Sequence, residues 1–143
     1  METTGLVEKG IRFARDGRYD EALRVFDEDL CFTQHPTAMA YYALSLAMVE
    51  GNFDKAISLC LIAAEKEFYN PEIYLNLGRI FLLNNQKSVA IKAFRKGLKI
   101  DNSHYAILLE MRRLGVRRRP VLSFLSRQSS VNKFLGFIAG RIA

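Results

Sequence analysis

The side chains from which a reactive site would be assembled are few. They are two cysteines, Cys31 and Cys60, two histidines, His35 and His104, and one acidic run, Asp27, Glu28 and Asp29. A nucleophile needs a base beside it, and a metal needs three or four ligands brought together. His35 follows Cys31 in a segment that ends a helical pattern, but one Cys/His pair is too little for either purpose. The cysteines lie far apart with no CxxC spacing, so buried free thiols are the reading they support. Both histidines fall beside turns, and the acidic run reads as a solvated helix face. No glycine-rich phosphate loop of the GxxxxGK type occurs. The expectation is a non-enzyme with no catalytic residue, no metal and no cofactor.

If no site carries chemistry, the elements and their surfaces must carry function. Of the 143 residues half are apolar and a quarter charged, as in a folded globular protein. No stretch reaches the roughly 18 consecutive apolar residues that cross a membrane. The amino terminus, METTGLVEKGIRFARDG, is charged throughout and has no apolar run of a signal peptide. A cytoplasmic protein is expected. The net charge of +6 is unevenly spread. Residues 1–102 hold 13 Lys/Arg against 14 Asp/Glu, a net of −1, whereas residues 103–143 hold 8 Lys/Arg and the single acid Glu110, a net of +7. Such an asymmetry points to an anionic partner for the basic part.

The chain also repeats itself. GRYDEALRVF (17–26), GNFDKAISLC (51–60) and NQKSVAIKAF (85–94) are 34 residues apart. That shift brings Ala22 onto Ala56 and Ala90, Phe26 onto Cys60 and Phe94, and Leu23 onto Ile57 and Ile91. Each unit holds two stretches with apolar residues at helical spacing. They are divided by Gly17, Gly51 or Asn85, residues that end a helix in the left-handed conformation. In the third unit, PEIYLNLGRIFLLN (71–84) starts with a proline suited to a first helical turn. A second stretch begins near Ser88 and carries Val89, Ala90, Ala93, Phe94 and Leu98. Small alanines fall where paired helices must approach closely.

This pattern resembles the tetratricopeptide repeat, in which a small residue of a first helix faces a large one and an alanine of a second. The third unit carries the resemblance best, through Tyr74, Leu77, Gly78, Phe81, Ala90 and Phe94. The first carries it through Gly10, Phe13, Gly17, Tyr19, Ala22 and Phe26. The second is looser, with Leu44 where the motif wants a small residue. The resemblance implies an all-α solenoid of antiparallel helix pairs. Its repeats would span about 3–36, 37–70 and 71–102. Residues 103–114 would then be a capping helix that closes a 1–114 repeat domain, seven helices in all. Residues 115–143 fit no repeat and read as a basic amphipathic tail.

By resemblance, the first helices line a concave groove that takes up a partner peptide or helix. The groove places fall on Val7, Glu8, Ile11, Tyr41, Tyr42, Ser45, Met48, Leu75, Asn76, Arg79, Leu82, Glu110 and Arg113. One subset of the family clamps a chaperone's terminal carboxylate there with Lys and Asn. Val7, Ile11 and Tyr42 stand at those places here, so that specificity is not expected. An apolar and aromatic groove with a polar end at Asn76, Arg79 and Arg113 suits an amphipathic helix or an extended apolar segment with an acid near Arg79. Tyr41 and Tyr42 either face that segment or pack the first helices together. The tail carries Arg117, Arg118 and Arg119, then Phe124, Phe134, Leu135 and Ile138. Docking on protein is its favoured role. An anionic membrane surface, which would make the protein membrane-peripheral, is the alternative. Nucleic acid ranks last, because no stacking aromatics interleave with the arginines. The function expected is that of a protein-binding adaptor.

Overall fold

The computed structural model describes residues 2–26 and 35–116. Among them are seven helices and no strand: α1 (Glu2–Arg15), α2 (Tyr19–Val25), α3 (Pro36–Glu50), α4 (Phe53–Lys66), α5 (Pro71–Leu83), α6 (Lys87–Ile100) and α7 (Tyr105–Arg113). The chain is all-α, as its periodicity implies. Cys31, the acidic run 27–29 and the tail residues Arg117, Arg118, Arg119, Phe124, Phe134, Leu135 and Ile138 lie outside the described residues.

The helix boundaries follow from local chemistry. Gly17, Gly51 and Asn85 take positive φ values of 79°, 66° and 58° and close α1, α3 and α5. Pro36 and Pro71 open α3 and α5 in the first turn, where a missing N–H costs nothing. Asn52 and Asn70 cap α4 and α5 by accepting from the N–H of Lys55 (3.3 Å) and Glu72 (3.1 Å). Asn70 also donates to Thr37 Oγ1 at 2.8 Å and Glu67 Oε2 at 2.9 Å, which ties successive turns together.

Packing follows the pairs α1/α2, α3/α4 and α5/α6, with each pair set against the next and α7 on α6. Ala22, Ala56 and Ala90 are all fully buried, as their alignment requires. Beside them a glycine meets an aromatic ring. A methyl group at Gly78 would stand 2.3 Å from Phe94 Cε1, and one at Gly10 would stand 2.5 Å from Phe26 Cε1. Only the absence of a side chain lets the rings lie this close to the opposite backbone. Gly97 likewise makes room for Ile107 of α7. Between these pairs α3 is the centre of the stack, with ten consecutive residues from Ala38 to Ala47 buried. A helix apolar on all sides is one surrounded by protein.

Leu44, the residue that departs from the repeat pattern, has a compensating partner. It holds the station of Gly10 and Gly78, while Cys60 holds the station of Phe26 and Phe94. Both are buried, and the Cys60 thiol donates to the Ala40 carbonyl at 3.8 Å. Where two units pair no side chain with a large ring, the middle unit pairs a large aliphatic with a small thiol. In the repeat register large and small thus change places, the kind of exchange that close-packed interiors tolerate best.

Two outcomes follow. Gly78→Ala should cost about 1–3 kcal/mol in urea unfolding, because Phe94 has to leave its seat. Leu44→Gly and Cys60→Phe should each destabilise alone, and the double variant should recover at least about 0.5 kcal/mol of the summed loss. Strict additivity would mean that the two stations do not share volume. Burial also drives the Cys60 thiol far above its ordinary pKa. In a Cys31→Ser chain a thiol reagent should therefore find no target until the protein is unfolded.

Candidate peptide cleft

The first helices bring a cleft of about 470 Å³ to one side of the stack. It is lined by Arg15, Asp16, Gly17, Tyr19, Leu44, Met48, Arg79, Leu82, Leu83, Glu110 and Arg113. These residues come from the end of α1 and the turn after it, from the start of α2 and from the C-terminal halves of α3, α5 and α7. Apolar lining is supplied by exposed Met48 and Leu83 and half-buried Leu82.

Charge is gathered at two ends. Arg79 of α5 donates to Glu110 of α7 at 3.0 Å, and Arg113 stands 3.9 Å from the same carboxylate. The Glu110 side chain is only 12% exposed, while Arg113 is 67% exposed. One carboxylate thus faces two guanidinium groups, and Arg113 retains most of its freedom. At the other end Arg15 Nη2 donates to both oxygens of Glu72, at 2.5 and 2.8 Å. Its Nε donates to the Tyr41 hydroxyl at 3.2 Å, and its guanidinium lies 5.4 Å from the centre of the Tyr41 ring. Burial pulls the Arg15 guanidinium down, but the bonds to Tyr41 and Glu72 outweigh it and leave its pKa raised. Burial is also the main cause that raises the Tyr41 phenol. The arginine crosses from α1 over α3 to α5, which joins the first helix pair to the third.

The groove places named from sequence divide by exposure. Met48 and Arg113 are open to solvent, and Ile11, Arg79 and Leu82 are half-buried. Val7, Tyr41, Tyr42, Ser45 and Asn76 are buried. Tyr42 meets the Phe26 ring edge-on at 6.1 Å, and Ser45 Oγ donates to the Tyr41 carbonyl at 2.8 Å. Tyr41 therefore packs against the end of α1 and Tyr42 against the end of α2. Asn76 is fully buried with neither amide atom hydrogen-bonded among the described residues. Of these ten residues the cleft brings together Met48, Arg79, Leu82 and Arg113. Glu110, also named from sequence, joins them, whereas sequence reading missed Arg15, Asp16, Gly17, Tyr19, Leu44 and Leu83 as lining residues. The cleft lies about one turn further along the first helices than the groove places taken from the resemblance. A signal was present, since Leu83 sits 34 residues beyond Val49 and both are exposed apolar residues at helix ends.

Two groups able to do chemistry have structural partners. His104 Nδ1 accepts from the Ile107 N–H at 3.4 Å as the cap of α7. Tyr74 donates to the Phe68 carbonyl at 3.0 Å, and burial pushes its phenol up to about 12. Among the described residues no group of three or more His, Cys, Asp or Glu stands close enough to hold a metal. None of their helices is long and apolar enough to cross a membrane.

Comparison with known proteins agrees with this architecture. Residues 71–104, which comprise α5, α6 and the turn that follows, match the tetratricopeptide repeat. Over 102 residues, 66% of this chain, the sequence is 26% identical to the Hsp70-Hsp90 organising protein of Plasmodium falciparum (isolate 3D7). The match spans 18% of that relative's length. No solved structure matches the chain. Residues 71–104 thus form a tetratricopeptide repeat, and the units before it resemble that repeat in the glycine and alanine at their helix crossings and the left-handed stops between paired helices.

Proposed function

We propose that the protein is a non-catalytic adaptor that captures a segment of a partner protein on the concave side of its first helices. The observation that carries this reading is the cleft itself, where exposed Met48 and Leu83 share one lining with Arg79 and Arg113. Apolar side chains without cover in the folded chain gain by burial against a partner. Arg113 adds a cation that its own Glu110 only weakly engages. The segment that fits is an amphipathic helix or an extended strand, with large apolar residues on Met48, Leu82 and Leu83 and an acid directed to Arg113 and Arg79.

The relative named for Hsp70 and Hsp90 supports a protein partner. It does not carry those chaperones to this chain, because Val7, Ile11 and Tyr42 stand where the family's carboxylate clamp uses Lys and Asn. The basic tail serves as a second contact that docks on protein through Phe124, Phe134, Leu135 and Ile138 rather than through Arg117, Arg118 and Arg119. Buried apolar side chains contribute roughly 1.5–3 kcal/mol each, whereas exposed charges are screened within about 8 Å at physiological salt.

A displayed peptide library panned on the full chain tests the cleft. Enriched sequences should pair two large apolar residues with an acid. Met48→Asp or Arg113→Glu should weaken binding at least about tenfold, or 1.4 kcal/mol, with an unchanged melting curve. Wild-type binding by both variants, or enrichment of terminal carboxylates alone, would reject the reading. The tail is tested at low and high salt with Phe134→Ala/Leu135→Ala and with the three arginines changed to Ala. Partner binding that resists salt and is lost in the apolar variant is expected. Liposome binding sensitive to both changes would replace protein docking by membrane anchoring.

A further inference from the structure

Among the described residues the most exposed large apolar side chains sit away from the cleft, at the other end of α5 and α7. They are Tyr105 at 76%, Tyr69 at 61% and Phe68 at 56%. Tyr105 is remote from the other two in sequence, yet Gly97 of α6 brings all three to one edge. A methyl group at Gly97 would stand 2.5 Å from Ile107 Cδ1 and 3.5 Å from the Pro71 carbonyl oxygen. The start of α7, which is Tyr105, and the start of α5, just after Tyr69, therefore converge on the last turn of α6. Tyr74 donates to the Phe68 carbonyl at 3.0 Å, which holds that turn by its backbone while both rings stay outside. The Phe68 and Tyr69 rings stand edge to face with centres 5.5 Å apart.

Positive charge runs into the same edge. On α6, Lys92, Arg95, Lys96 and Lys99 recur at i, i+3, i+4 and i+7 and form one face, opposite buried Ala90, Ala93, Phe94 and Gly97. This helix holds five cations and no acid. Cations three or four residues apart advance about 4.5–6 Å along the axis, comparable to the step between successive phosphates of a nucleic-acid strand. The Nε of half-buried Arg95 is shielded from solvent and has no hydrogen-bond partner among the described residues. A guanidinium so placed gains from an anion that arrives from outside the chain. The balance of charge also turns where α6 begins. Residues 1–86 hold 13 Asp/Glu against 8 Lys/Arg, and residues 87–143 hold 2 against 13.

We infer that this edge binds single-stranded nucleic acid, with phosphates along the cationic face of α6 and bases stacked on Tyr105, Tyr69 and Phe68. A row of cations beside open aromatic rings is the pairing that single-strand binding uses. No ring interleaves with the tail arginines in sequence, whereas here the fold supplies rings from two distant turns. The rings are also set apart. In the 34-residue frame exposed Asn102 and Ser103 hold the places of Phe68 and Tyr69 and put polar groups beside Tyr105. Separate rings each stack one base, but they do not make the continuous apolar patch that a partner protein covers. A bilayer fits less well. Glu65, Glu67 and Asp101 lie at the same edge and would be pressed against its headgroups. Val89, Ile91, Leu98 and Ile100 pack against the core, so α6 keeps no apolar face to enter the membrane. The edge lies at the far end of α5 and α7 from the cleft, and the inference does not depend on what the cleft binds.

The experiment is fluorescence anisotropy of the full 143-residue chain with labelled oligothymidylate, oligouridylate and a DNA duplex of the same length. At least one single strand should bind more tightly than the duplex, and its binding should weaken as salt rises. The strand preferred names the sugar. Tyr105→Ala and Phe68→Ala/Tyr69→Ala should each weaken binding at least about fivefold with an unchanged melting curve, because the rings are exposed. Lys96→Glu/Lys99→Glu should weaken it at least about tenfold and flatten its salt dependence. In a chain with Arg117→Ala/Arg118→Ala/Arg119→Ala the ring variants should still lower affinity. Failure of both strands to bind overturns the inference. So does a preference for duplex, or binding that the ring variants leave at wild-type strength, since the tail's charge would then account for it. Vesicles of phosphatidylcholine and phosphatidylserine are run in parallel. If they alone are bound, and Tyr105→Ala releases them, the edge belongs to a membrane instead.

Discussion

The contact on which this structure rests is the seating of an aromatic ring against a glycine of the paired helix. At Gly78 and Gly10 a single added methyl group would stand 2.3 and 2.5 Å from the rings of Phe94 and Phe26. Dispersion rewards atoms only at close range, so a ring flush with backbone gains contacts that a ring held off by a side chain forfeits. Each seat also locks the register of its pair, because the ring fits at one station along the partner helix. The buried alanines 22, 56 and 90 extend the close approach one turn away. From this spacing follow the stacking of successive pairs and hence the side on which the first helices lie together.

The middle unit meets the same constraint with other residues. Leu44 and Cys60 exchange the roles of small and large, and α3 accepts neighbours on all sides because it is apolar throughout. Stability in repeat arrays is a sum of units and of nearest-neighbour contacts. The Arg15 to Glu72 bridge departs from that scheme, since it joins the first and third pairs across α3. Arg15, Arg79 and Arg113, from the first, third and last helix units, accordingly line one cleft.

Function in such a molecule belongs to surfaces. The thiol of Cys60 is buried and held in its protonated form. His104 caps a helix and Tyr74 anchors a turn. Among the described residues, apolar side chains and arginines line the cleft.

The repeat, the helix pairs, the left-handed stops and the buried alanines were all legible in the 34-residue period. Such features depend on residues close in sequence and on which faces must be small, and a pattern of small and large side chains records both. The cleft was legible only in part. Tyr41 and Tyr42 have the composition of a binding surface, yet they are buried, because α3 is enclosed by neighbours whose distance no local pattern expresses. Arg15 gave no sign of its role, since its partners Tyr41 and Glu72 lie 26 and 57 residues away. The sequence by itself determined that helices would pair and where they would cross. Only the packed structure decided which side chains were left facing solvent, because exposure depends on how closely non-neighbouring helices approach.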